Sequence, residues 1–342
     1  MTNHPTARDG VPQNYPGRLA YFPPEMQRLV VGVLGLQQRK LESLAQARSE
    51  LAALLALGAG PAHCEWNTCT GPDGLHEVVV TAYWRAPQDY AAWIQQPQVD
   101  QWWQAGLAPN AVGRWREVAQ IPAKRFQFAA GTEDRHGASA VLPLKPCNTF
   151  GFWGAYRARL SAAATDTFES AFTQVPQRQL QETFGRALAV QAPDNLCMIR
   201  EGQGFQNCSD DEMRVWREQM EAPIAGWVAF LAHDPSATGC LSIRDCFERE
   251  LATWSTIPKR SQVAFLLSLG HIEKAARTEP THLAVHKAFV QMYQDLHFTP
   301  RMHVWVELSI IKAHELAAEY FNCHPATGLL PYFPLVDLAE SR

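Results

Sequence analysis

The chain has 342 residues, 46% of them hydrophobic and 10% aromatic, enough for a sizeable core in one large domain or two ordinary ones. A formal net charge of −4 argues against a nucleic-acid partner, which calls for a basic stripe, and no basic amphipathic stretch points to a membrane surface. The apolar run 51–62 is too short to span a bilayer, and the N-terminal residues show no apolar signal-peptide core. Eight cysteines without a C-x-x-C pair suit a cytoplasmic chain with reduced thiols and exclude covalent c-type haem attachment.

Residues 1–24 read as a Pro-rich arm that packs through Tyr21 and Phe22. The apolar run 29–37 has strand length, and 39–57 repeats apolar residues at helical spacing until Gly58–Pro61 stops it. A strand is expected at 76–83, then a helix over 86–105 broken at Pro97, then strands at 115–128 and 137–144. The second half repeats this plan: a strand at 195–200, a long helix over 210–232 interrupted near Pro223, a strand at 261–268, a helix over 272–294 broken at Pro280, and a strand at 302–311. Laid over one another, the halves match Pro97 with Pro280 and Val99 with His282. Strand–helix–strand repeats of this kind predict an α+β fold with antiparallel sheets covered by helices, leaving room for a flat cofactor between sheet and helices. Eleven tryptophans are of the type that lines wide apolar pockets.

His282 stands in the first turn of the helix after Pro280, which suits a helix edge because it lacks an N–H and pre-sets φ. A histidine held there can offer one ring nitrogen to a metal, or it can be an ordinary buried histidine. His286 lies one turn on, but the glutamate that a zinc protease needs after the first histidine is replaced by Leu283.

Several unusual segments carry a resemblance: FPPEM (22–26), AYW (82–84), PQVDQWW (97–103), GFWGAYR (151–157), APDNLCMIR (192–200), EPTH (279–282) and NCHPATGLLP (322–331). Together they resemble the haem-containing aldoxime dehydratases from about Phe22 to Pro331. The resemblance implies an α+β fold of two ferredoxin-like halves, a sheet/helix sandwich of dimeric α+β barrel type around a haem pocket. The arm would be 1–24, the first half 25–150, and the second half, carrying the haem ligand, 151–335. It also implies a homodimer with one non-covalent haem b per chain, ferrous when active, and His282 as the iron's proximal ligand. The implied reaction converts an aldoxime, R–CH=N–OH, into a nitrile and water.

By the same resemblance Arg157 binds the oxime hydroxyl; its other reading is a surface ion pair. Three distal positions depart from the family pattern: Glu201 stands where members carry Ser or Thr, Val306 where they carry a proton-shuttling histidine, and Gln127 where many carry Glu. His303 is expected to point away from the 304/306 face, because alternate strand residues face opposite sides. Glu201, desolvated in an apolar pocket, would have a raised pKa suited to acid and then base work; alternatively it pairs with Arg200 or Arg157. Two other functions stay open: a haem enzyme acting on a different N–O substrate through Glu201, and a non-catalytic haem-binding sensor.

Overall fold

The computed structural model describes residues 17–108, 110–147, 156–294 and 300–339. In chain order these form β1 (Gly17–Ala20), β2 (Arg28–Gln38), α1 (Ala45–Leu55), β3 (His63–Thr70), β4 (His76–Trp84), α2 (Pro87–Ile94), α3 (Pro97–Ala105), β5 (Gly113–Pro122), β6 (Phe126–Ala130) and β7 (Leu144–Cys147). There follow α4 (Tyr156–Arg159), β8 (Ala187–Val190), β9 (Leu196–Gly204), α5 (Asp210–Gln219), α6 (Glu221–His233), α7 (Pro235–Thr238), β10 (Cys240–Arg249), β11 (Thr256–Leu266), α8 (Leu269–Thr278), α9 (Pro280–Gln294), β12 (His303–Ile311), β13 (Leu316–Phe321) and β14 (Leu335–Asp337).

The strands join in one antiparallel sheet, ordered β14-β8-β13-β5-β2-β4-β3-β10-β11-β9-β12-β6-β1-β7. Two segments of it share a plan. β5-β2-β4-β3 is a β-α-β-β-α-β unit with strand order 4-1-3-2, and β12-β9-β11-β10 is the same unit repeated; the two meet edge to edge at β3 and β10. β6, from the first half of the chain, pairs with β12, and β13, from the far end of the chain, pairs with β5. Each half therefore lends a strand to the other's sheet.

Helices lie on the outer faces and the inner faces pack together. Val31, Val33 and Trp115 of the first half share one apolar cluster with Phe265 and Trp305 of the second. This inner layer also buries charge, in two matching constellations. Arg244 donates to both oxygens of Glu117 at 2.8 and 3.1 Å, Tyr320 donates to Glu117 at 2.6 Å, and the guanidinium lies 3.8 Å over the Trp115 ring. In the other, Arg200 pairs with Glu65 and reaches Glu307 at 3.5 Å, Tyr83 donates to Glu307, and the guanidinium lies 4.7 Å over Trp305. A glycine faces each tryptophan across the strands, Gly35 opposite Trp115 and Gly202 opposite Trp305. A Cβ at 202 would meet the Trp305 ring at 2.4 Å, so only glycine lets the indole lie flat there. Buried charges need such pairing to be tolerated at all.

Between helices and sheet the halves differ. In the first, Trp84, Trp93, Trp102 and Trp103 fill the layer together with Val99 and Leu51. Tryptophan here is mostly packing rather than pocket lining, contrary to the composition-based expectation. In the second half the same layer, between β9–β12 and helices α5, α6, α8 and α9, contains a cavity. Residues 137–144, expected as a strand, instead begin with a 3-10 turn at Gly137–Ala140. Phe22 of the arm packs edge-on against Phe126, ring centroids 5.7 Å apart, while Tyr21 is exposed. No helix among the described residues is long and apolar enough to cross a membrane.

Candidate active site

The cavity of the second half consists of two adjoining hollows. One is walled by Tyr156, Ile199, Glu201, Trp227, Gln262, Glu273 and His282 among others, the second by Glu201, Gln203, Trp216, Trp227, His282 and Val304 among others. They hold about 610 and 480 Å³ of space unfilled by protein, mouth included. The sheet forms the floor and α6, α8 and α9 the roof.

His282 comes from the roof. Pro280 opens α9, so the imidazole sits in the first turn, buried, with Trp227 edge-on at 4.9 Å between ring centroids. Its Nδ1 lies 2.7 Å from the Ala276 carbonyl. A carbonyl only accepts, so Nδ1 carries the proton and Nε2 keeps the lone pair, the arrangement of a neutral metal-ligating imidazole. Burial lowers its pKa, the Ala276 carbonyl acting against that, which favours the neutral ring near pH 7. The donor set and the apolar walls fit a haem, which His282 would hold. Among the described residues no three His, Cys, Asp or Glu side chains cluster as a metal cage.

Glu201 comes from the floor, at the middle of β9. Its direct partners are Gln262 on β11 and Val306 on β12, and all three lie on the cavity face. Burial among apolar walls raises the Glu201 carboxyl to about 7. Neither expected ion pair of Glu201 forms. Arg200 points to the opposite face of β9, into the inner charged layer. Arg157 on α4 donates to Glu273 at 2.9 Å and to the Thr167 carbonyl at 2.6 Å. Arg157 thus stands behind the cavity wall and lines a separate, open hollow with Phe168, His271 and Lys274. The GFWG part of its motif lies outside the described residues.

The arginine of this run that does reach the sheet is Arg159, which donates to Gln127 Oε1 at 3.2 Å. Gln127 is buried on β6 opposite Leu308, on the face of Val306 but outside the two hollows; its Nε2 has no hydrogen-bond partner among the described residues. His303 does point away, into the inner layer against His136 with ring centroids 4.7 Å apart. The structure therefore brings together His282 and Glu201, sets Gln127 to one side, and keeps Arg157 in a supporting place. Sequence reasoning missed Tyr156 and Gln262. The signals were there: Tyr156 stands beside Arg157 in a conspicuous motif, and Gln262 is a polar residue at alternating spacing with the apolar Ala264 and Leu266 of the cavity wall.

A family model described as haem-containing dehydratase matches residues 32–329. The chain belongs to this family. It is 31% identical to the phenylacetaldoxime dehydratase of Bacillus sp. (strain OxB-1), over 94% of this chain and 92% of that protein. It is 26% identical to the aliphatic aldoxime dehydratase of Rhodococcus globerulus, over 89% and 87% of the two chains. Among solved structures it is similar to an aldoxime dehydratase with TM-score 0.85 at 24% identity, covering 96% of this chain and 94% of the other. The dehydratase family uses haem, and the helix-roofed cavity at His282 is where the residues of this chain fit it.

Proposed function

We propose that the protein dehydrates an aldoxime to a nitrile, with haem b held by His282 and Glu201 as the acid and base. The observation that carries this is the pairing of a neutral imidazole on the roof with a desolvated carboxyl on the floor of one apolar cavity, in a chain 31% identical to a phenylacetaldoxime dehydratase. We read the two 4-1-3-2 units as ferredoxin-like halves.

When bound, ferrous haem supplies a site for the oxime nitrogen and electron density toward the N–O bond. The residues of the chain do the remainder. Trp227, Ile199, Leu231, Ala264 and Ile272 give the R group apolar walls and keep water out. Glu201 in its acid form gives its proton to the hydroxyl oxygen, so that the N–O bond breaks with water as leaving group. The carboxylate left behind takes the proton from the oxime carbon, whose C–H electron pair completes the C≡N bond. Atoms balance, no proton is gained or lost overall, and Glu201 returns to its acid form. A carboxyl with a pKa of about 7 serves both steps near neutral pH.

Val306 favours a second reading. A cavity without a distal imidazole is altered on the side where the oxime hydroxyl would lie, which would suit another N–O substrate such as a hydroxamate. Gas-chromatographic detection of nitrile from phenylacetaldoxime, with haem-loaded protein reduced by dithionite, separates the two. Nitrile at many turnovers supports the dehydratase; none from aromatic or aliphatic aldoximes, with turnover of a hydroxamate, supports the second. The eight free thiols are consistent with a reducing, cytoplasmic setting. A homodimer is proposed on family resemblance alone, with sedimentation of the holoprotein as its test.

A further inference from the structure

We infer that the Gln203 side chain is a substrate contact: its Oε1 accepts the hydrogen of the oxime hydroxyl and turns a lone pair of that oxygen toward Glu201. The inference rests on the aldoxime reading above. Gln203 stands on β9 and walls the second hollow with Glu201 and His282. The side chain is buried, at 5% exposure, and its Oε1 has no hydrogen-bond partner among the described residues. A buried amide oxygen left without a donor is costly, and this amide is not free to turn over. The reason lies nearer the surface. Asp245 on β10 accepts from Arg260 at 2.7 Å, and a carboxylate in an ion pair only accepts. Gln262 on β11 therefore gives Asp245 its Nε2, at 2.9 Å, and presents its Oε1 to Gln203. Gln203 answers with its own Nε2, at 3.4 Å. Two amides in series thus carry the polarity of an ion pair inward, and the last oxygen of the series is left over at the cavity.

The donor that Gln203 lacks is one the substrate carries. The side chains of Met220, Ile224, Val285 and Val304, which wall the same hollow, have no hydrogen to donate, and the propionates of a haem are ionised near neutral pH and only accept. An aldoxime brings an O–H. Residues two apart on a strand share a face, so Glu201 and Gln203 point the same way with Cα atoms about 6.5 Å apart. The two side chains are equally long, and Glu201 does not itself donate to Gln203 Oε1. One hydroxyl oxygen with a hydrogen bond of about 2.8 Å on each side fits between them. The oxime hydroxyl then donates to Gln203 and accepts from the acid form of Glu201. The hydrogen it keeps and the proton it receives leave together as water. Gln262 is a positioning residue, which fixes the end of Gln203 that meets the substrate.

The test is a spectroscopic titration of reduced, haem-loaded protein with two ligands that cannot be turned over to nitrile. Phenylacetone oxime is a ketoxime, with the N–OH group but no aldoxime C–H; its O-methyl ether lacks the O–H as well. Gln203→Met removes the acceptor at similar length. It is expected to weaken the ketoxime about tenfold, the scale of one lost hydrogen bond, and to leave the ether unchanged, which also shows the pocket intact. Gln262→Met, which lets the Gln203 amide turn over, is expected to give a smaller loss confined to the ketoxime. Unchanged ketoxime affinity in both variants, or equal losses for both ligands, would overturn the inference and leave the dehydratase reading standing. If wild-type protein neither binds the ketoxime nor forms nitrile from phenylacetaldoxime, the dehydratase reading itself fails, and this inference with it.

Discussion

Glu201 on β9 and Val306 on β12 are direct cross-strand partners on the sheet face that bears the cavity. Residues so paired have Cα atoms about 4.5–5.5 Å apart and point the same way, so a carboxyl at 201 reaches much the same space as an imidazole at 306 would. On the proposed function, Val306 and Glu201 are thus one local exchange of proton carriers. Glu201→Gln keeps the shape and removes the proton, and is expected to lower kcat/KM by about two to four orders of magnitude in steady-state nitrile formation.

Activity that starts from the acid form of Glu201 falls as pH rises through about 7. Stability follows the same sign. A carboxyl whose folded pKa is raised stabilises the fold below its unfolded pKa, near 4.3, and that stability is lost as pH rises through 7, because ionisation in the apolar floor is unfavourable. Thermal melts of the haem-free protein are expected to show Glu201→Gln more stable than wild type at pH 8, by up to about 3 kcal/mol, with the difference vanishing near pH 4.

The inner face makes the opposite pH demand. Burial lowers His303 to about 3 and His136 to about 4, with Asp134, Glu65 and Lys259 the charged groups facing them. Unfolded histidines bind protons near pH 6.5, so this stability is present above 6.5 and lost as pH falls toward 4, by about 2 kcal/mol per histidine at pH 5. Melting temperature is expected to drop between pH 7 and 5, and His303→Leu to flatten that slope.

Arg157 and His282 separate support from chemistry. Arg157→Ala removes a partly buried pair with Glu273 and is expected to cost about 1–3 kcal/mol in denaturant melts, with little change in haem content. His282→Ala is expected to lose haem, with the Soret band recovered when imidazole is added. Retention of haem by His282→Ala would move the ligand elsewhere.

Much of this was legible in the chain. Strand, helix, proline and second helix recur in both halves, and Pro280 and His282 sit where that rhythm put them. β3 and β10 were not recognised, because Glu65 and Arg244 interrupt their apolar alternation; each is tolerated inside by a main partner on a distant strand, Arg200 and Glu117. The opposed facing of Arg200 and Glu201 follows from strand alternation. Their partners, Glu65 and Val306, depend on sheet order, which no local pattern encodes. Nor does spacing reveal that β6 and β13 cross between halves, or that Arg157 turns toward α8.

The central claim is that the Glu201 carboxyl does the work of the missing imidazole. The most direct measurement is nitrile formation from phenylacetaldoxime by reduced, haem-loaded wild type, Glu201→Gln, and Glu201→Gln combined with Val306→His. The account predicts an active wild type, a single variant at least a hundredfold slower, and partial recovery in the double variant, where the proton carrier returns on the neighbouring strand. A Glu201→Gln enzyme as fast as wild type would contradict it.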